Sequence, residues 1–195
     1  MLQTPPESQS QTVTLIALGS NASSAWGDAA TTVQKASAAI AQMSDTPPVL
    51  SRFFNTPAFP AGAGPDFVNA AIRIETRLSA QNMLAALHEI EVDAGRERKV
   101  RWGQRTLDLD LIAMADEVLP DAATYLHWRD LPLDQQAKAA PDQLILPHPR
   151  LQDRSFVLVP LADVAPDWVH PVLGQTVVEM RDARPEAELA SVIPI

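Results

Sequence analysis

The apolar, β-branched run TVTLIALGSN (12–21) is short, unbroken and ends at Gly19, which predicts a buried strand running into a loop. From Asp28 to Met43 alanine dominates and breakers are few, predicting a helix that stops at SDTPP. VLSRFFNTP (49–57) predicts a second strand, closed by Thr56-Pro57. After the Gly/Pro loop AFPAGAGPD, FVNAAIRIETRL (67–78) alternates as a third strand. Phe67, Asn69 and Ala71 fall on one face, and Val68, Ala70, Ile72 and Ile74 on the other. Ser79 suits an N-cap, Met83, Leu84, Leu87 and Ile90 form an apolar helical stripe, and Gly95 suits the stop. TLDLDLIAM (106–114) supplies a fourth strand.

The order β-α-β-β-α-β predicts an α+β (α/β sandwich) fold, a ferredoxin-like core with an antiparallel sheet plus C-terminal additions. Residues 1–11 predict a disordered leader and 12–195 a single domain. Residues 120–142 mix proline, alanine and charge without a period and predict a surface insertion holding one short helix. An apolar strand or helix start is expected around Phe156 to Leu161, and the tail from Thr176 is expected to hold one helix and then fray.

Composition narrows the partners. The 195 residues carry 15 Lys/Arg against 24 Asp/Glu, a formal charge of -9. That balance argues against general binding to nucleic acid or an anionic membrane. There is no cysteine, hence neither a disulfide framework nor a thiolate metal site. The N-terminus MLQTPPESQSQ lacks the pattern of a secretory signal, and no apolar run approaches the ~18 residues of a membrane span. A cytoplasmic location is the expectation.

Against this acidic background, Arg96, Arg98, Lys99, Arg101 and Arg105 crowd one ten-residue window, and Asp108 and Asp110 follow directly. Residues two apart in a strand share a face, so both carboxylates project together while Leu107, Leu109 and Leu111 point inward. Alternation alone leaves a solvated polar face equally open. The adjoining cations favour Mg²⁺, which binds through one or two carboxylates and completes its shell with water and phosphates. Arginine forks match phosphate oxygens. Trp102 offers an aromatic surface for a nucleotide or an interior anchor. Among the weaker features, GSN (19–21) is ordinarily a strand-to-helix turn. His88 and Glu91, spaced i, i+3, are ordinarily a surface pair. His148 between two prolines sits on a stiffened turn, and Phe156 is core by default.

Together these residues resemble the 6-hydroxymethyl-7,8-dihydropterin pyrophosphokinase family of folate biosynthesis. The resemblance rests on ALGSN (17–21), NTPAF (55–59), PDFVNAA (65–71), GRERKVRWGQRTLDLDL (95–111) and LPHPRLQDRSFVLVPL (146–161), in family order. It implies an enzyme that moves diphosphate from ATP to the pterin, releasing AMP. By that resemblance Asp108 and Asp110 would hold two Mg²⁺ ions and, with Arg96 and Arg105, serve catalysis. Leu84, His88, Glu91, Arg96, Arg98, Arg101, Trp102, Arg105, Leu111, His148 and Arg154 would contact ATP. Phe67 and Phe156 would stack on the pterin, with Asn69, Thr56, Pro57, Ala58, Phe59 and Trp102 around its rim. A monomer is expected, with ATP and the pterin as small-molecule partners. Gln104 stands where proline is common in the family, Pro149 where some members carry an aromatic, and the basic loop is about one residue short. Two other classes fit a ferredoxin-like sheet: an RNA-recognition-like module with sheet aromatics, and a different Mg²⁺-dependent nucleotidyl transferase. Paired carboxylates on the binding face and the net charge weigh against the first.

Overall fold

The structure, a computed structural model, describes residues 11–58, 64–95, 105–132, 135 and 140–195. Strands β1 (Thr12–Ser20), β2 (Val49–Leu50), β3 (Phe54–Thr56), β4 (Phe67–Thr76), β5 (Asp108–Met114) and β6 (Ile193–Pro194) form one sheet. Its order is β5-β1-β4-β3-β6, with β2 also on β4, and every pairing is antiparallel. Helices α1 (Ala29–Ala41) and α2 (Ala80–Asp93) sit between the strands as the β-α-β-β-α-β reading expects. Both start where a side chain satisfies an otherwise unpaired amide: Asp28 accepts from the Thr31 N–H and Ser79 from the Asn82 N–H. Gly95 ends α2 at φ +80°, a conformation glycine adopts without a Cβ penalty.

Two cores flank the sheet. On one face Ile16, Leu18, Ile72 and Leu109 pack with Val33 and Ile40 of α1 and Met83 and Leu87 of α2. On the other, Leu15, Ala17, Ala71 and Ile112 meet Leu158 and Leu161 of α4 (Ser155–Val164) and Met180 of α5 (Val177–Asp182). The C-terminal additions therefore form a second helical layer. This second face is where α4 ends the core and the polar residues of β4 and β5 begin.

Three expectations need correction. The second strand is split, because Ser51 intrudes on the ladder: its N–H donates to the Ala71 carbonyl and its Oγ accepts from the Ala71 N–H, each at 2.9 Å. The next residue, Arg52, turns outward into a two-pronged pair with Asp163 of α4 at 2.8 and 2.9 Å. The tail does not fray. A Thr176–Glu179 capping box starts α5, α6 (Glu186–Ala190) follows, and β6 then returns to pair with β3. The 120–142 segment is also rooted in the interior. Its helix α3 (Ala122–Arg129) buries Tyr125 completely, and the Tyr125 hydroxyl lies 2.9 Å from Nε2 of His170, itself fully buried.

Nδ1 of His170 accepts from the N–H groups of Val172 and Leu173, so the ring proton resides on Nε2 and is donated to Tyr125. Burial pushes the His170 pKa down to about 4 and the Tyr125 pKa up to about 12, so both stay neutral. In the unfolded chain a histidine takes up its proton near pH 6.5. As pH falls from about 6.5 to about 4 the unfolded state binds a proton that the native state refuses, so stability declines over that window. The shift corresponds to about 3 kcal/mol at its full extent. Urea melts of the unmodified protein should show the decline. His170→Gln should make it shallower, leaving the share of His148, whose pKa burial also lowers, and an unchanged slope in that variant would show that His170 is not a source.

Candidate active site

Asp108 and Asp110 are half-buried on the second face of the sheet, while Leu109 and Leu111 between and beyond them are buried on the first. Strand alternation therefore produces the shared face the sequence predicts. Their carboxylates stand two residues apart, roughly 7 Å along the strand. Each is matched by a guanidinium: Arg105 pairs with Asp108, and Nη1 of Arg154 lies 3.3 Å from Oδ2 of Asp110. Like charges at that spacing repel, and the two arginines supply the positive charge between them. Among the described residues no three His, Cys, Asp or Glu side chains gather as a self-sufficient metal site. Two hard carboxylates with open space beside them suit a divalent ion held jointly with the phosphates of a ligand.

GSN does more than turn the chain. Ser20 Oγ donates to the Thr106 carbonyl at 2.6 Å, Asn21 N–H to the Arg105 carbonyl at 3.1 Å, and Arg105 N–H returns a bond to Asn21 Oδ1 at 2.8 Å. These bonds fix the backbone from which Arg105 and Asp108 project. Gly19 pairs with Asn69 on β4 and with Asp108 on β5, so the three residues form a row across three strands. A Cβ at position 19 would come within 3.0 Å of Asn69 Oδ1 and 3.9 Å of the Phe67 ring. Glycine thus leaves an open trough between Asn69 and Asp108, whose backbones are two strand spacings, roughly 10 Å, apart. Nothing local to Gly19 signals this, because a glycine ahead of a turn is commonplace.

Across the trough from Asp108, Asn69 donates through Nδ2 to Thr56 Oγ1 at 2.7 Å, and Thr56 pairs with Phe67 in the β3–β4 ladder. Asn69, Thr56 and Ala58 are buried, Phe67 is half-buried and Pro57 exposed. Phe156, read as core by default, is instead 41% exposed on the first turn of α4, with the Arg154 guanidinium 5.8 Å from its ring centre. Arg154 therefore lies between Asp110 and an exposed aromatic.

A cleft of about 530 Å³ opens along the free edge of β5, lined from both sides of that strand. Of the residues expected to meet a nucleotide, Leu84, His88, Glu91, Leu111, His148 and Arg154 all line it. Arg96, Arg98, Arg101, Trp102 and Phe59 lie outside the described residues. The surface-pair reading of Glu91 is wrong. It is 2% exposed, and its Oε1 accepts from the Leu109 N–H at 2.8 Å, joining α2 to the edge strand. His148 is placed by its own N–H, which donates to the carbonyl of Ile112, the extra residue of a bulge in β5. Burial, then the nearby Arg154 charge, pushes its pKa down to about 3, so it is a neutral ring whose Nδ1 accepts from the Arg150 N–H. The sequence reading missed Trp128, Ile145 and Arg150, which complete the outer wall. They belong to, or follow, a segment whose composition carries no period.

A ferredoxin-like α+β domain with an acidic pair on the helix-covered sheet face is the class that fold and site define. The model of the 7,8-dihydro-6-hydroxymethylpterin-pyrophosphokinase (HPPK) family matches residues 15–166, and this chain belongs to that family. A 2-amino-4-hydroxy-6-hydroxymethyldihydropteridine pyrophosphokinase of Haemophilus influenzae is 36% identical over 160 residues, covering 80% of this chain and 83% of the relative. One of Synechocystis is 40% identical over 116 residues, 60% of this chain, and the match spans about half (49%) of that relative. The crystal structure of Plasmodium falciparum HPPK-DHPS A437G with pteroate superposes with a TM-score of 0.60 at 12% identity, over 90% of this chain and 43% of that one. Among the described residues no helix is long and apolar enough to cross a membrane.

Proposed function

We propose that this chain transfers diphosphate from ATP to the hydroxymethyl oxygen of 6-hydroxymethyl-7,8-dihydropterin, releasing AMP, with Asp108 and Asp110 as the Mg²⁺ ligands. The observation that carries this reading is the row Asn69–Gly19–Asp108. It joins a buried amide beside an aromatic to a carboxylate pair through a trough free of side chains. A planar, polar heterocycle needs an aromatic face and rim hydrogen bonds, which Phe67 and the Asn69–Thr56 pair offer. Bound Mg²⁺ would neutralise phosphate charge and hold the reacting groups in line. With Asp108 and Asp110 holding the ion, Arg105 and Arg154 would be released from these carboxylates to bind phosphate oxygens, which their planar forks match as charge develops. The pterin hydroxymethyl oxygen then attacks the β-phosphorus and gives up its proton to solvent, the bond from that phosphorus to the oxygen bridging to the α-phosphate breaks, and AMP leaves with that oxygen. Positioning and charge matching carry such a transfer, so no strong base is assigned.

The test is an assay with ATP, Mg²⁺ and the pterin, resolving nucleotides and pterins by chromatography. AMP and pterin diphosphate should form in equal amounts. Inorganic diphosphate with a nucleotidyl group on the product would identify the alternative transferase instead.

A further inference from the structure

We propose that Trp128, on the insertion helix α3, is the surface on which the base of the bound nucleotide stacks. The inference rests on the ATP reading of the cleft and assigns that site a residue outside the motifs shared with the family.

The cleft has two chemically different ends. At the start of β5 stand Asp108, Asp110 and Arg154, and the Glu91–Leu109 bond pins the last turn of α2 there. Leu84 lies seven residues earlier on α2, roughly 10 Å back along the helix, and lines the cleft with Leu111, farther along β5. Helix α3 is anchored at that same far end. Trp168 Nε1 donates to the carbonyl of Ala115, just after β5, at 2.9 Å, and the Trp168 ring lies 5.6 Å from His170. His170 in turn holds Tyr125. Trp128 follows Tyr125 by one helical turn and lines the cleft, half-buried, together with Leu84, Leu144 and Ile145. The polyphosphate of a nucleotide suits the charged end. The flat apolar end suits the base, because a large aromatic ring binds any base by its face.

Calorimetry on the full chain tests this with Mg²⁺-ATP and with Mg²⁺-tripolyphosphate, which has no base. Trp128→Ala should raise the Kd for ATP by about five- to a hundredfold. Trp128→Phe should recover most of that loss, and tripolyphosphate should bind all three proteins alike. Unchanged ATP affinity in Trp128→Ala, or an equal loss for tripolyphosphate, would overturn the assignment. If the unmodified protein binds ATP by this pattern yet makes no AMP with the pterin, the stacking role stands and the proposed reaction falls. If it binds no ATP, both fall.

Discussion

Asp110→Ala is expected to lower the rate of AMP formation by at least about a thousandfold while leaving the fold nearly as stable as before, and Asp108→Ala should do the same. The two halves of this expectation have separate physical sources. Each carboxylate pairs with an arginine whose side chain is about a third exposed, Arg105 at 35% and Arg154 at 33%. Pairs with such access to water contribute ~0–1 kcal/mol, and removing one acidic partner also relieves its repulsion with the other. The orphaned guanidinium stays solvated. Turnover differs, because a carboxylate bound to a divalent ion supports charge that builds only at the transition state, worth several kcal/mol, and ~4 kcal/mol is about a thousandfold. The Asn variants keep one oxygen ligand and should lie between. Rates at saturating Mg²⁺, thermal melts and the Mg²⁺ dependence of ATP binding separate these effects. Near-normal turnover by either Ala variant would refute the two-carboxylate arrangement.

What the sequence revealed here follows the range over which each signal acts. Alternation over Asp108–Leu111 depends only on strand geometry, and the shared face of the two carboxylates appears as expected. Ser79 and Asp28 announce helix starts because a cap is a three-residue event. The antiparallel, ferredoxin-like sheet followed from the order of elements, since few topologies suit β-α-β-β-α-β. Pairings between distant segments were invisible. Nothing within ten residues of Ser51 shows that its hydroxyl will meet the Ala71 amide and break a strand. Nothing near Tyr125 shows that His170 waits for it 45 positions later. The side-chain vacancy at Gly19 acquires meaning only once Asn69 and Asp108 flank it in the sheet. The resemblance to known pyrophosphokinases supplied what local physics could not: that residues of α2, β5 and the stretch from His148 to Arg154 line one cleft. It was silent on the insertion, and there the outer wall escaped notice.

Glu91→Ala should be the most destabilising single change at the site, lowering stability by roughly 2–4 kcal/mol. For a chain of this length that is a fall in Tm of roughly 5–15 °C. The i, i+3 spacing with exposed His88 suggested a solvated pair, yet Glu91 is buried where α2 crosses the edge of β5. Among the described residues no strand pairs with the outer side of that edge, and the Leu109 N–H takes its partner from the Glu91 carboxylate. Truncation leaves this amide buried without that acceptor and removes the volume of the side chain beside it. Leu109 stands between Asp108 and Asp110, so a loosened edge also displaces the carboxylate pair, and the KM for ATP should rise with the loss of stability. Glu91→Gln keeps an acceptor oxygen at nearly the same place and should retain more than half of the stability that Glu91→Ala loses. Thermal melts and KM measurements on both variants distinguish the causes. If Glu91→Gln proves as unstable as Glu91→Ala, then β5 depends on the negative charge of residue 91, and the acceptor atom alone does not explain its burial.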